Sequence, residues 1–269
     1  MRTVKIAMIQ SKVLYTEAEK NLAAAEVLLD SITKNYNIAL LPECFDFGWA
    51  HPDAAKLAMP IPNFVTNRLC EIAKQKDIHI VAGVTELGED GSPFNTAVLI
   101  DNNGKIIGKH SKINILTDVE YVYSVGTSIS VFDTEFGKVG IPICADMNTR
   151  PLVIPEAMAR MGCDLILSPC SWAVTQSFIE NNEVYGETWT VPYTKIAETY
   201  KIPVIGCSNV GKITHGEWKG WSCIGNSIAV TAECDIIALP FGEDAEYAKV
   251  IEVNLYDRPA LGTALRGTV

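Results

Sequence analysis

The 269-residue chain has no run of about 18 or more apolar residues, so no transmembrane helix is expected. Its eight cysteines (44, 70, 144, 163, 170, 207, 223 and 234) include no C-x2-C pair, and its histidines (51, 79, 110 and 215) share no ligand-like spacing. That pattern supports neither a zinc site nor a disulfide framework, and neither a metal nor a cofactor is expected. G-x-S-x-G, G-x-G-x-x-G and P-loop strings are all missing, which sets aside serine-hydrolase and nucleotide-binding readings. Basic residues are scarce: 22 Lys and Arg face 32 Asp and Glu, a net charge of −10, so contact with a nucleic acid backbone would begin from repulsion. The opening MRTVKIAMIQ passes from charge into an apolar run too short for a secretory leader, with no small-residue cleavage pattern, and the expected location is cytoplasmic. What is present is a globular composition, 48% hydrophobic and 20% charged, in a chain long enough to bury roughly 75% of its unfolded surface.

Hydrophobic periodicity organises the chain. Val4–Gln10 reads as a strand, and Ala18, Leu22, Ala25, Leu29 and Ile32 then recur at helical spacing. Ile38–Leu41 is the next strand, Val65, Leu69 and Ile72 mark a second helix, and Ile78–Val84 a third strand, an alternation that predicts parallel pairing. Asn95–Ile100 and Lys105–Lys109 flank Asp101-Asn-Asn-Gly104, a hairpin signal that makes the sheet mixed. A similar order follows: strand Val139–Ile143, helix Ile154–Arg160, strand Asp164–Ser168, a helix with Trp189, Tyr193, Ile196 and Tyr200 in register, and strand Val204–Ser208. Strands Asn226–Val230, Asp235–Leu239 and Lys249–Asn254 close the plan. No low-complexity linker divides the halves, so residues 1–269 are expected to form one domain with a quasi-duplicated layout, ending in a C-terminal arm over 256–269.

Three polar residues stand where strands end: Glu43 after IALLP, Lys112 in GKHSKIN and Cys144 after VGIPI. Strand ends are where α/β folds hold ligands. A cysteine can attack an acyl carbon if a base takes its proton, because a free thiol with a pKa of about 8.5 is mostly protonated at neutral pH. A carboxylate leaving a hydrophobic strand is partly desolvated, which raises its pKa toward the range a general base needs. A lysine supplies a cation where charge develops on the substrate oxygen. Singly, each residue is ordinary: a loop acid, a surface cation, a core thiol.

Together, in the order Glu, Lys, Cys, they resemble the catalytic constellation of the nitrilase superfamily of carbon-nitrogen hydrolases. The resemblance is carried by IALLPECFDFG (38–48), GKHSKINIL (108–116) and KVGIPICAD (138–146), and extends through GCDLILSPCSWA (162–173), IAETYKIPVIGCSNVG (196–211) and IGNSIAVTAECDIIA (224–238). It implies an α/β fold, a four-layer α-β-β-α sandwich with two mixed sheets. It also implies roles: Glu43 as general base, Lys112 as the cation beside the oxyanion, Cys144 as nucleophile, Glu120 as a second glutamate that holds the lysine, and the Ala145 N–H as part of the oxyanion hole. Trp172 and Asn209 are the implied substrate-binding residues, and a homodimer or higher homo-oligomer is the implied assembly.

The chain departs from the family's pattern after the nucleophile. Cys144 is followed by Ala145 and Asp146 where true nitrilases typically carry Trp-Glu, and the segment up to Gly162 is about two residues longer than usual. This favours an amide or N-carbamoyl substrate over a nitrile. The expected activity is cysteine-dependent hydrolysis of a small, non-peptide carbon-nitrogen bond through a thioester, with no nucleic acid or membrane partner. Acyl transfer to an amine, nitrile hydrolysis and a non-catalytic binding scaffold stay open as alternatives. The loop Ser171–Thr188, with Gln176, Asn181, Asn182 and Glu183, is expected to roof the pocket.

Overall fold

The computed structural model describes residues 1–33, 35–181 and 186–257. The C-terminal arm expected over 256–269 lies outside the described residues from 258 onward, as do Asn182 and Glu183 of the expected roof. In chain order the first half contains β1 (Arg2–Gln10), α1 (Ala18–Ser31), β2 (Ile38–Leu40), α2 (Ala54–Leu57), α3 (Phe64–Lys76), β3 (His79–Leu87), β4 (Pro93–Ile100) and β5 (Ile106–Ser111). The second half contains β6 (Phe132–Thr134), β7 (Gly137–Gly140), a 3-10 turn (Cys144–Met147), α4 (Val153–Arg160), β8 (Leu165–Cys170), β9 (Ala173–Val174), α5 (Gln176–Glu180) and α6 (Glu187–Tyr200). It closes with β10 (Val204–Ser208), β11 (Val210–Lys212), β12 (Ser222–Ile224), β13 (Ile228–Val230), β14 (Ile236–Ala238) and β15 (Tyr247–Leu255).

Period-two alternation divides the first-half strands between two cores. Val4, Ile6 and Met8 of β1, Ile38 and Leu40 of β2, Val81 of β3 and Ala97 and Leu99 of β4 face one core. Ala7, Ile9, Ala39, Ile80, Ala82, Val84, Val98 and Ile100 face the other, against Leu22, Ala25 and Leu29 of α1 and Val65, Leu69 and Ile72 of α3. Each fully buried large aliphatic side chain contributes about 1.5–3 kcal/mol relative to exposure, so a strand apolar on both faces is stable only when both are covered. On the inner side the cover is the second sheet: Val139, Leu165, Ile166, Leu167, Val204 and Ile205 share the first core, which continues to Ile154 and Met158 of α4 and Tyr193 and Ile196 of α6. Helices, sheet, sheet, helices is the four-layer sandwich.

The two large sheets have orders β15-β1-β2-β3-β4-β5 and β14-β13-β10-β8-β7-β6. Each has a parallel trio, β1-β2-β3 in one and β7-β8-β10 in the other, continued by two antiparallel strands, β4-β5 and β13-β14. The duplicated layout read from the sequence is thus present in the topology. Its first hairpin closes as expected, with the Gly104 N–H donating to the Asp101 carbonyl at 2.9 Å.

Three elements differ from expectation for local reasons. The strand expected over Val139–Ile143 stops at Gly140, because Pro142 has no N–H to give a ladder and the Ile143 N–H is taken by Asp146 Oδ2 at 3.1 Å. The last strand does not continue the β13-β14 meander but crosses back to pair antiparallel with β1 over its whole length, Arg2 opposite Leu255 to Gln10 opposite Tyr247. A small third sheet, β11-β12-β9, arises from two- and three-residue strands too short for a periodicity signal. It ties the chain after β8 to the hairpin between β10 and β13, beside the ends of the parallel strands.

Candidate active site

Glu43 leaves the carboxyl end of β2 and is fully buried. The Glu43 N–H donates to the Cys170 carbonyl (3.3 Å) and the Phe45 N–H to the Gly83 carbonyl (3.0 Å), while the Gly83 N–H donates to the Pro42 carbonyl (2.9 Å). The β3 backbone comes so close that a Cβ on Gly83 would stand 2.5 Å from Glu43 Cα. Asp46, also buried, accepts from the Thr85 N–H at 2.8 Å, fastening the same loop to β3 from its far side.

Lys112 follows β5 directly and is buried without exposure, which an ammonium tolerates only with partners. Its Nζ donates to Glu43 Oε1 at 2.8 Å and to Glu120 Oε1 at 2.6 Å. Glu120 Oε1 also accepts from Trp49 Nε1 at 2.6 Å, and its Oε2 from the Leu116 N–H at 2.9 Å. Asn95 of β4 gives Nδ2 to Glu43 Oε1 at 2.7 Å, and lies 3.4 Å from Glu120 Oε1. The Gly126 N–H returns to the Lys112 carbonyl at 2.8 Å, an approach open only to glycine, since a Cβ there would lie 2.0 Å from the Ser111 carbonyl oxygen. Among the described residues Glu43 Oε2 has no hydrogen-bond partner, so one buried carboxylate oxygen is left as a free acceptor.

Cys144 opens the 3-10 turn after β7 with φ of 43°, a left-handed conformation that costs a non-glycine residue energy and persists only when its surroundings impose it. The Cys144 N–H donates to Ser168 Oγ at 3.1 Å. Asp146, two residues on, accepts at Oδ1 from the Ile113 and Asn114 N–H groups (3.1 and 2.8 Å) and at Oδ2 from the Ile143 N–H. The same Oδ2 meets His110 Nε2 of β5 at 2.9 Å with both side chains buried. One carboxylate thereby locks the Cys144 turn to the loop that carries Lys112.

Burial pushes the Glu43 carboxyl up to about 7; the neighbouring Glu120 charge adds to this, and Lys112 together with the hydrogen bonds it receives opposes it. Burial alone would lower the Lys112 ammonium, but the Glu120 and Glu43 carboxylates outweigh it and hold it well above its ordinary value. Burial, a hydrogen bond with Cys170 and the Glu43 charge raise the Cys144 thiol well above the usual thiol range, with Lys112 working against them. The resting site therefore holds a protonated thiol, a firmly charged ammonium, and a carboxyl balanced near neutrality.

A cavity of about 240 Å³ opens over Cys144 and Ala145. Its walls are Trp49, Trp172, Trp189 and Trp218. Trp172 and Trp189 stack at 4.4 Å, and Trp49 meets Trp218 at 5.2 Å and 59°. Of the residues singled out in the sequence, Glu43, Lys112 and Glu120 form one hydrogen-bonded cluster, and Cys144, Ala145 and Trp172 line the cavity beside it. Asn209 does not line that cavity among the described residues; its backbone accepts from the Gly225 N–H at 3.0 Å, behind the wall. Of the expected roof, Ser171 through Ala173 and Thr188 reach the cavity, whereas Gln176 and Asn181 belong to the exposed α5 turn.

Sequence reasoning missed Asn95, His110 and Ser168 and passed over Asp146 as a departure from pattern. Their one available signal was a polar side chain at an inward position of an apolar strand, as His110 opposite Ala97 shows.

The family model "Carbon-nitrogen hydrolase" matches residues 5–257, and the chain belongs to that family. It is 29% identical over 185 residues to omega-amidase NIT2 of Mus musculus, an alignment covering 65% of this chain and 66% of the mouse protein, just under two thirds of that relative's length. It is 28% identical over 267 residues to a nitrilase of Pyrococcus abyssi, covering 94% of this chain and 90% of the relative. In structure it is similar to Saccharomyces cerevisiae Nit3, a member of the nitrilase superfamily (TM-score 0.79, 21% identity, 94% and 90% covered). It is also similar to an amidase of Nesterenkonia sp. AN1, solved with the acetamide moiety of fluoroacetamide added covalently at its active site cysteine (TM-score 0.76, 18% identity, 94% and 90% covered). No helix among the described residues is long and apolar enough to cross a membrane.

Proposed function

We propose that the chain hydrolyses a small linear amide through a thioester on Cys144. The observation that carries this reading is the buried Glu43–Lys112–Glu120 cluster, with Glu43 Oε2 unpartnered and its carboxyl raised to about 7, next to a protonated thiol that needs a base. In the proposed mechanism Glu43 accepts the Cys144 proton as Sγ bonds to the acyl carbon. The carbonyl π electrons move to oxygen, where Lys112 Nζ and the Ala145 N–H meet the developing oxyanion. As the tetrahedral intermediate collapses, the carbon-nitrogen bond breaks and Glu43 passes its proton to the departing nitrogen, so ammonia or an amine leaves and a thioester remains. Water, deprotonated by Glu43, then attacks the thioester; the C–S bond breaks, Glu43 returns its proton to the Cys144 sulfur, and the carboxylic acid departs. Glu120 holds Lys112 in place, and Asp146 keeps the Cys144 turn in register with it. An N-carbamoyl substrate would follow the same steps through a carbamoyl-cysteine.

The omega-amidase relatives support an amide substrate, and the nitrilase relative makes nitriles the necessary comparison. The test is ammonia release by the purified protein over a panel of simple amides, ω-amides, carbamoyl amino acids and nitriles. Release from amides is the expected result; release from nitriles alone would overturn the amide reading.

The closeness of Gly83 to Glu43 carries a second prediction. Gly83→Ala places a Cβ against Glu43 Cα and Cys44 N, both backbone atoms, so the loop must move. The expected cost is about 1–3 kcal/mol of stability by urea denaturation. Because small misplacements of a reacting group are expensive, kcat should fall by roughly 10²-fold. Unchanged stability and kcat would mean that the Glu43 loop is not held by β3.

A further inference from the structure

The cavity wall over Cys144 carries no formally charged side chain among its described residues. Its polar members are neutral: Asn148, Ser171 and Thr188. The rest of the surface is apolar, with four indoles, Leu116 and Ala173. Just behind the cavity the only cation of the cluster, Lys112, is already shared between two carboxylates at 2.6 and 2.8 Å. A substrate carboxylate entering here would lose its water, meet no unpaired cation among the described residues, and approach the net negative charge of the Glu43–Lys112–Glu120 cluster. A substrate ammonium would find no carboxylate in the described wall to pair with, only the indole faces. A negative charge is therefore unwelcome in the acyl part of the substrate.

The shape of the cavity favours a flat ring. Trp172 and Trp189 form a stacked pair that is nearly fully buried, and Trp49 and Trp218 meet at 59°, so flat aromatic surfaces bound the space. Trp218 is backed in turn by Trp221 at 4.2 Å and 18°, which fixes the outer wall. At about 240 Å³ the cavity is smaller than the roughly 300–1,000 Å³ usual for ligand pockets, which fits one ring rather than an extended chain. An aromatic group gains here both from leaving water and from offset or edge contacts with the indoles.

We propose that this cavity selects amides whose acyl group carries an aromatic ring and no negative charge, of the arylacetamide type, and discriminates against ω-amides of dicarboxylic acids. The proposal rests on the amide-hydrolase reading above and separates this chain in substrate class from the omega-amidases it resembles.

The test compares phenylacetamide, succinamate and glycinamide as uncharged aromatic, anionic and cationic amides. The expected result is a kcat/KM for phenylacetamide at least about 100-fold above that for succinamate, the order of discrimination an unpaired buried carboxylate produces. Trp218→Ala, a change at the half-buried outer wall, should raise KM for phenylacetamide about tenfold and leave kcat nearly unchanged. The same three compounds are titrated against Cys144→Ala by quenching of tryptophan fluorescence, a readout that needs no turnover. Quenching by phenylacetamide without hydrolysis by the wild type would leave the selectivity standing and remove the hydrolase reading. Preference for succinamate or glycinamide, in turnover or in quenching, would overturn the proposal.

Discussion

Cys144→Ala is expected to reduce amide hydrolysis to background, a loss of at least about 10³-fold in kcat, with the fold intact. The change removes one sulfur atom, and an acyl-transfer step without its nucleophile has no alternative route in this site. Alanine can hold the left-handed turn at this position at a cost similar to cysteine, because both carry a single Cβ and the Cys144 N–H bond to Ser168 Oγ does not involve the side chain. The buried sulfur packs in the inner core, so stability should fall by only about 1 kcal/mol. Initial rates and thermal denaturation measured side by side check both halves. Retained activity would remove Cys144 from the mechanism, and a collapsed melting transition would show that the residue is structural.

Glu43→Gln is the second large effect, with an expected loss of roughly 10²–10⁴-fold in kcat, the usual contribution of a positioned general base. The amide keeps the size of the carboxyl and an oxygen for Lys112 and Asn95 but cannot take a proton. The pH profile carries a separate signature. Because the Glu43 carboxyl is raised to about 7, the wild-type rate should climb as pH rises through that value and the base becomes ionised. The residual rate of the variant should lack that limb. Stability moves in the opposite sense. Between about 4.5 and 7 the folded carboxyl keeps a proton that the unfolded chain has released, so the unfolded state binds fewer protons and stability falls as pH rises across that window. Asp46, raised to about 6 chiefly by burial, acts in the same direction. Urea denaturation at pH 5 and pH 8 should therefore show a smaller loss for Glu43→Gln than for the wild type. Equal losses would mean that Glu43 is ionised in the folded protein throughout.

Most of the architecture was legible because burial on both faces writes itself into the strands. Val4–Gln10, Ile38–Leu41 and Val204–Ser208 are nearly continuous apolar runs, and such runs form the middles of covered sheets. The return of β15 to β1 was not legible, since pairing between residues 2–10 and 247–255 is chosen by tertiary geometry rather than by any local pattern. The small third sheet escaped for the opposite reason, its strands being shorter than one period of alternation. At the site, Glu43, Lys112 and Cys144 were marked by their places after strands, and Glu120 by the family resemblance. Asn95 and His110 sit inside strands, where period-two patterning reports only which face a residue takes. That the inward face at those two points is polar follows from the buried charges they meet, Glu43 for one and Asp146 for the other. Asp146 looked like a loss of pattern after the nucleophile and proves to accept from three backbone N–H groups across two loops.

The cluster also explains why a lysine can be buried here at all. One ammonium between two carboxylates leaves a net negative charge in a dry site, and the raised Glu43 carboxyl relieves it by holding a proton part of the time. The same balance that makes the ion cluster tolerable gives the site a group that can both accept and return a proton near neutral pH.

A covalent acyl group on Cys144 is read by mass spectrometry of peptides from protein quenched in acid during turnover. The wild-type protein is mixed with saturating phenylacetamide, quenched in acid before the substrate is exhausted, and digested. The expected result is a mass increase equal to the phenylacetyl group, confined to the peptide that carries Cys144 and missing from Cys144→Ala. Turnover of the amide with no adduct, or an adduct on Cys170 or any other thiol instead, would contradict it.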